Sequence, residues 1–254
     1  MNKYKEHAVI LKHEKIASDV YSMWIETKNI TKEVVPGQFL SLFCQDSSRL
    51  LPRPISVCET LKENHSLRLV YKILGKGTEE FSQLKAGDQI EVMGPFGNGF
   101  ELLHKKALII GGGVGIPPML ELAKNLHCEK QIVLGFRDEL FLKEDLEKYG
   151  EVFVSTEDGN YGTKGNVLDA IRENGLSAEV IYSCGPTPML RAIKNYALEN
   201  NIIAQLSLEE RMACGIGACL ACTCKTKEKD HHSNVNNKRI CKDGPVFYAE
   251  EVEI

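Results

Sequence analysis

The chain has no stretch that is both long and apolar enough to span a bilayer. Its most apolar segment, 107-ALIIGGGVGIPPMLELA-123, is broken by glycines and two prolines and ends in charge, so no membrane association is expected. The N-terminal MNKYKEHAVILKHEK lacks the apolar core and small-residue cleavage site of a signal peptide, which argues against export. Basic charge is not in excess either. Against 31 Lys and Arg stand 35 Asp and Glu, a net charge of −4, with no polycationic arm. No nucleic-acid partner is expected on that balance. The nine cysteines are an odd number, which suits a disulfide framework poorly. In a reducing compartment, here the cytoplasm, thiols serve more often as ligands or catalysts. What is present is 254 residues with 43% hydrophobic content, enough for one large domain or two small ones.

The first hundred residues read as short strands with turns. HAVILKHEKI, VYSMWIET, QFLSLFC, ISVCET and LRLVYKIL are rich in Val, Ile, Tyr and Phe and are separated by turn signals. The segment 78-TEEFSQL-84 reads as one short helix with Thr78 as its N-cap, after which Gly87-Asp88 turns the chain into QIEVMGP. An antiparallel barrel with one helix is the simplest arrangement. From residue 101 strands and helices alternate: ALIIGG, PPMLELAKNL, QIVLGFR, KEDLEKYG, EVFVSTE, VLDAIREN, VIYSCGP, TPMLRAIKNYALENN, then IAQLSLEE. That rhythm predicts βαβ units on a doubly wound parallel sheet. A cysteine-rich tail follows. The one strongly biased polar loop, 227–238, carries His231 and His232 among Asp, Ser, Asn and Lys, where solvated side chains are expected rather than metal ligands.

Several turns carry chemistry. The segment 111-GGGVGIPPML-120 follows a buried strand and opens a helix. Gly111, Gly112, Gly113 and Gly115 would let the backbone approach a pyrophosphate at the helix N-terminus, although Ile116 holds the place of the third glycine of the dinucleotide fingerprint. A second turn, 184-CGPTPML-190, also ends a strand, so Gly185 and Pro186 could face the same crevice. Cys184 reads either as a small buried hydrophobe or as a group over a nicotinamide ring; its neighbours favour the second. After EVFVST, the carboxylates of Glu157 and Asp158 would repel a ribose 2′-phosphate, favouring NADH over NADPH. In the barrel half, 53-RPIS-56 offers an arginine fork suited to phosphate, and 75-GKGT-78 offers Gly77 and Thr78.

The stretch 211-RMACGIGACLACTC-224 is the sharpest signal. Cys214, Cys219 and Cys222 have the C-x4-C-x2-C spacing of a plant-type [2Fe–2S] loop. Such a cluster needs four thiolates, two per iron. Cys224 lies too close to Cys222 to reach round a cluster held at three corners, whereas Cys241 precedes a Lys-Asp-Gly-Pro turn and can return from a hairpin. Cys241 is the chosen fourth ligand and Cys224 a bystander. Tetrahedral zinc is the main competitor, but its usual pattern repeats C-x2-C twice.

Taken in order, RPIS, GKGT, GGGVGIPPML and CGPTPML resemble the ferredoxin–NADP reductase family along the whole chain. The tail resembles that of the electron-transfer subunits of NAD-dependent dihydroorotate dehydrogenase B. The resemblance implies β plus α/β architecture. An N-terminal antiparallel FAD-binding β-barrel would occupy 1–100, a parallel-sheet NAD-binding domain 101–206, and a small [2Fe–2S] domain 207–254. It implies FAD held by Arg53, Pro54, Ile55, Ser56, Val70, Tyr71, Lys72, Gly77 and Thr78. NAD would lie at Gly111 to Gly115 and Cys184 to Pro186, and the cluster on Cys214, Cys219, Cys222 and Cys241. A flavin belongs between nicotinamide, which exchanges hydride, and a cluster that carries single electrons. No residues remain for a substrate barrel, which would need roughly 250 more. An FMN-containing dihydroorotate dehydrogenase catalytic subunit is therefore expected as partner, in a heterotetramer of two plus two serving pyrimidine (UMP) biosynthesis. An NADH-dependent ferredoxin–NADP oxidoreductase or an anaerobic sulfite reductase subunit would share nearly every motif. From another class, a zinc-bound, NAD-sensing regulatory protein would share them without turnover.

Overall fold

Alternation of apolar and polar residues along six strands leaves each with one face to bury, and closing them into a barrel buries all six faces together. The strands are β1 (Tyr4–Ala17), β2 (Val20–Glu26), β3 (Phe39–Leu42), β4 (Arg53–Leu61), β5 (Ser66–Lys72) and β6 (Gln89–Phe96), in the closed antiparallel order β1-β2-β5-β4-β3-β6. The interior is filled by Ile10, Met23, Ile25, Leu40, Leu42, Leu67, Leu69, Ile90 and Val92. The computed structural model describes residues 2–229 and 234–254; His231 and His232 lie outside the described residues.

Among the described residues two α-helices, and a 3-10 turn at Lys62–Asn64, accompany the barrel where one helix was expected. The first, α1 (Ile30–Glu33), is a single turn whose leading amides, Lys28 and Asn29, donate to the Glu6 carboxylate at 2.6 and 2.9 Å. Four residues are too few for a helical period to register in the sequence. The second, α2 (Lys76–Phe81), starts two residues before the expected Thr78. Gly75 takes the cap position, and Thr78 instead turns back its hydroxyl to accept from the Leu74 and Gly75 amides at 2.9 and 3.3 Å.

The second half is a seven-stranded sheet. Six of its strands are β7 (Ala107–Gly112), β8 (Lys130–Phe136), β9 (Glu151–Thr156), β10 (Thr163–Lys164), β11 (Val180–Cys184) and β12 (Ile203–Ser207), all parallel, in the order β10-β9-β8-β7-β11-β12. Helices α3 (Pro117–Asn125) and α4 (Lys143–Leu146) bury one face against Ile109, Ile132 and Leu134. Helices α5 (Val167–Glu173) and α6 (Thr187–Glu199) bury the other against Leu108, Ile110 and Val133. Burial on both faces explains the near-continuous apolar runs of these strands. Among the described residues no helix is long and apolar enough to cross a membrane.

The tail is less separate than its composition suggests. β13 (Thr223–Thr226), β14 (Asn237–Arg239) and β16 (Val252–Glu253) form a small sheet, but β15 (Val246–Tyr248) pairs antiparallel with β12 and extends the large one. Its Phe247 enters an apolar core that also holds Cys222, Ile240 and Cys241 of the tail and Phe39 and Phe96 of the barrel.

Three carboxylates of the α/β half clamp the barrel. Glu121 of α3, 2% exposed, accepts from the Thr60 amide and hydroxyl, both at 2.7 Å. Glu139 accepts from Ser18, and Asp145 pairs with Arg68 at 2.8 Å. Burial alone would raise the Asp145 carboxyl, but hydrogen bonds from Lys148 and Arg68 hold it below its usual value. The Glu121→Ala variant is expected to lose about 2–3 kcal/mol in urea unfolding, because a buried amide and hydroxyl lose a charged acceptor. Glu121→Gln, which still accepts, should lose less. A depressed folded pKa contributes stability above the unfolded value of 3.8 and loses it as pH falls through the folded one. Acid titration of stability should therefore show a component below pH 3.8 that Asp145→Asn removes.

Candidate functional site

A cleft of about 600 Å³ opens where barrel, sheet and tail meet. It is lined by Arg53, Pro54, Ile55 and Ser56 of β4, by Val70, Tyr71 and Lys72 of β5, and by Gly77 and Thr78 of α2. All nine residues expected at FAD thus share one cavity. The local reasons are visible. β4 begins at Arg53, so the arginine motif stands on a strand rather than in a turn, and Pro54, lacking an N–H, sits at that strand's start. The guanidinium lies across the first turn of α2: a Cβ on Gly77 would stand 2.1 Å from Arg53 Nε. Only glycine leaves the arginine that position. Tyr71 departs from a simple lining role. Its ring packs on Phe81 at 6.2 Å, and its hydroxyl bonds His13 Nε2 at 3.0 Å.

The tail contributes to this cleft more than its sequence suggests. Phe39, Val114, Ser207, Glu209, Met212 and Pro245 also line it. Glu209 is exposed at the cleft mouth, and desolvation by the protein around it raises its carboxyl above the usual range. The available signal was its place just beyond the carboxyl end of a parallel strand, where ligands of open sheets bind.

The two glycine turns meet at the sheet's carboxyl edge. β7 and β11 are neighbours with Gly111 opposite Cys184. A Cβ on Gly115 would fall 2.3 Å from the Cys184 carbonyl and 2.5 Å from the Gly185 amide, and one on Gly112 would fall 2.5 Å from Met189 Sδ and 3.2 Å from Pro186 Cδ. These glycines let the turns interlock. Gly113, at φ +52° with no atom within 4 Å of a Cβ, faces open space and leaves room for a ligand. Cys184 itself is 1% exposed. Burial and then the Glu209 charge push its thiol up, against a hydrogen bond with Ser207, so it is held as a neutral thiol. Glu157 and Asp158 are exposed at the same edge, but β8 separates their strand from β7. Asp158 accepts from the Asn160 amide at 3.0 Å. The structure therefore groups the glycine turns and leaves the carboxylates one strand further out.

The four expected cluster ligands fall into two pairs. The Cys214 and Cys219 side chains lie beside each other, as do those of Cys222 and Cys241. Gly215 at φ +67° and Gly217 at φ +84° curl the loop so that its amides turn inward. The Ala218 and Cys219 amides reach Cys214 Sγ at 3.3 and 3.4 Å. Burial opposes ionisation of Cys214, but the Ile216, Cys219 and Ala218 amides outweigh it and hold the thiol down at about 6. Cys241, buried and beside Cys222, is pushed up to about 12. The far side of the loop is braced by Arg239, which donates to the Gly217 carbonyl at 3.1 Å and pairs with Asp243 at 2.9 Å. Cys224 is turned elsewhere. Its Sγ donates to the Lys238 carbonyl at 3.6 Å, and burial raises it to about 11. Among the described residues no three His, Cys, Asp or Glu converge as a single ion requires. A two-iron centre asks for two thiolates per iron beside inward-facing amides, and this donor set fits it.

Known proteins share these features. Residues 7–100 match the oxidoreductase FAD-binding domain family, residues 109–195 the oxidoreductase NAD-binding domain family, and residues 209–253 the iron–sulfur cluster binding domain of dihydroorotate dehydrogenase B. The electron transfer subunit of dihydroorotate dehydrogenase B (NAD(+)) from Caldanaerobacter subterraneus is 47% identical over 98% of this chain and 99% of that protein. Its counterpart from Fusobacterium nucleatum is 42% identical over 98% of both. Among solved structures, a chain of the NADH-dependent reduced ferredoxin–NADP oxidoreductase, studied for flavin-based electron bifurcation, superposes with a TM-score of 0.88 at 32% identity, covering 98% of this chain and 90% of that one.

The Arg53 geometry makes a specific prediction. Losing a charge-assisted bond to a phosphate, worth about 1.5–3 kcal/mol, should weaken flavin retention by roughly ten- to a hundredfold in Arg53→Ala. Gly77→Val should act in the same direction by displacing the guanidinium. The flavin-to-protein ratio after gel filtration measures both, and an undiminished ratio in both variants would remove Arg53 from the site.

Proposed function

Because the chain belongs to the family of electron transfer subunits of NAD-dependent dihydroorotate dehydrogenase B, with its FAD, NAD and iron–sulfur binding domains, we propose that it passes electrons taken from dihydroorotate to NAD+ during orotate formation in pyrimidine (UMP) biosynthesis. A subunit named for electron transfer implies a catalytic partner. We assign that partner an FMN and a two-plus-two heterotetramer with this chain, in the cytoplasm, where its nine cysteines can stay reduced. The observation that carries the reading is the shared wall of the cleft. Phe39 lines the cleft and also packs in the core with Cys222 and Cys241, while Val114 of the first glycine turn lines its other side. One cavity therefore borders the dinucleotide turn directly and shares Phe39 with the core that holds Cys222 and Cys241.

When bound, FAD would exchange a hydride pair with nicotinamide and single electrons with a [2Fe–2S] centre fed from the partner. Arg53 and the Gly75–Thr78 turn would hold its phosphates. Gly111 to Gly115 and Gly185 to Pro186 would seat NAD, and the buried neutral Cys184 would fill the floor between them without competing for the hydride. Glu157 and Asp158 would disfavour a 2′-phosphate on the ribose. Cys214 and Cys219 would take one iron, Cys222 and Cys241 the other. Ile216 and Leu220 are 44% and 62% exposed beside the exposed Cys219, which supports partner docking over the loop.

The likeness to the ferredoxin–NADP oxidoreductase chain, at 32% identity, favours a second reading in which the same wiring serves a different complex. Co-purification separates the two. A partner carrying FMN and about the size of one (β/α)8 barrel is expected, and a larger partner with FAD and several clusters would overturn the dihydroorotate assignment. In the assembled complex, Cys219→Ser should lose the cluster's absorbance and nearly all dihydroorotate-to-NAD+ turnover while keeping FAD. Full turnover in that variant would show that the route bypasses these thiols.

A further inference from the structure

Ser41 is 2% exposed, and its hydroxyl is one of four buried side-chain polar atoms among the described residues that have no hydrogen-bond partner. The other three belong to Gln131, Ser155 and Ser183 of the large sheet. Ser41 lies on β3 of the barrel, opposite Pro54 and Met93. Its strand neighbours Leu40 and Leu42 point into the barrel, so alternation turns Ser41 outward, beneath the tail. What covers it is the thiol loop. A Cβ on Gly215 would stand 2.9 Å from Ser41 Oγ and would meet no other atom within 4 Å. Ser41 does not line the flavin cleft, although Phe39, two residues back on the same outward face, does.

A buried hydroxyl without an acceptor calls for an explanation, and an acceptor absent from the protein's own atoms is one. The loop residue it faces adjoins Cys214, whose sulfur already collects amide donors. A [2Fe–2S] centre at these thiols offers sulfur acceptors and no donors. We propose that the Ser41 hydroxyl donates to the sulfur at the Cys214 corner of the cluster, making a barrel residue part of the cluster's tuning shell. The reduced cluster carries one more negative charge than the oxidised one, so a donor stabilises it more and raises the reduction potential. Ser41 is thus a positioning and tuning residue and takes no electron itself. The proposal rests on the [2Fe–2S] reading of Cys214, Cys219, Cys222 and Cys241.

The test is a redox titration of the isolated holoprotein with electron paramagnetic resonance detection, alongside iron and flavin analysis. Ser41→Ala should keep its iron and FAD, shift the cluster midpoint to lower potential and lose one exchangeable-proton coupling from the reduced cluster's hyperfine spectrum. Ser41→Thr, which keeps the hydroxyl, should restore both. Should Ser41→Ala fail to hold iron, wild-type protein labelled with [β-13C]serine decides: a carbon coupling to the reduced cluster supports the proposal, and its absence overturns it. An unchanged potential and spectrum in a fully loaded Ser41→Ala would overturn it, as would a shift confined to the flavin. Wild-type protein without iron would instead overturn the cluster reading itself, a result that analysis of the metal distinguishes at once.

Discussion

Everything functional in this chain depends on one apolar core being shared by three modules. Phe39 and Phe96 of the barrel, Leu108, Ile110 and Val133 of the sheet, and Cys222, Ile240, Cys241 and Phe247 of the tail pack as a single cluster. Apolar packing is close to crystal density, so such a core transmits position rather than merely adding stability. The cleft is a consequence. Its walls come from β4 and β5, from Val114 after β7, and from Glu209, Met212 and Pro245 of the tail. No module alone encloses it.

The polar contacts divide along the same lines. Between barrel and sheet they are charged and hydrogen bonded: Glu121 on Thr60, Glu139 on Ser18, Asp145 on Arg68. Within the thiol loop they are amide dipoles, which favour negative charge without bringing in a counter-ion. The contrast between Cys214, held at about 6, and Cys241, pushed to about 12, follows from which thiol the amides reach and which is buried beside another sulfur. One edge of the site is therefore poised to ionise first. Iron held there, as proposed above, would displace protons that the loop already loosens at one corner.

Much of this is legible in the sequence. The change of rhythm near residue 101, the glycine turns at β7 and β11 and the C-x4-C-x2-C spacing all carry a local pattern, and local patterns survive in one dimension. The elements that escape have none. α1 is four residues, and β15 is three residues of a tail that composition alone would set apart from the sheet it joins. Thr78 was legible as a capping residue but not its position, since Gly75 can start the helix without a side chain. Glu209 and Ser41 owe their interest wholly to what packs against them. Glu209 reads as one acid in SLEERM, and Ser41 as one small residue inside QFLSLFC. Cys224 shows the converse. It stands inside the motif, yet its closeness to Cys222 already marks it as a bystander, and β13 pairing turns it to the Lys238 carbonyl.

The two transfers that the chain must join make different demands, and the packing follows that difference. Hydride passes only between atoms in near contact, about 3–3.5 Å apart and aligned. The boundary between barrel and sheet is the one carrying the buried Glu121 and Arg68 side chains, a frame stiff enough to hold such an alignment. Single electrons tolerate separation, so the thiol loop needs proximity and exclusion of water more than angular precision. It is held by apolar packing, by a three-residue strand and by the turn that Arg239 and Asp243 brace. Its outer corner, Cys219, is left exposed, whereas Cys222 and Cys241 are sealed against the barrel side. The thiol loop thus keeps one corner open and one buried against the barrel side, and the electron path proposed above runs between the two.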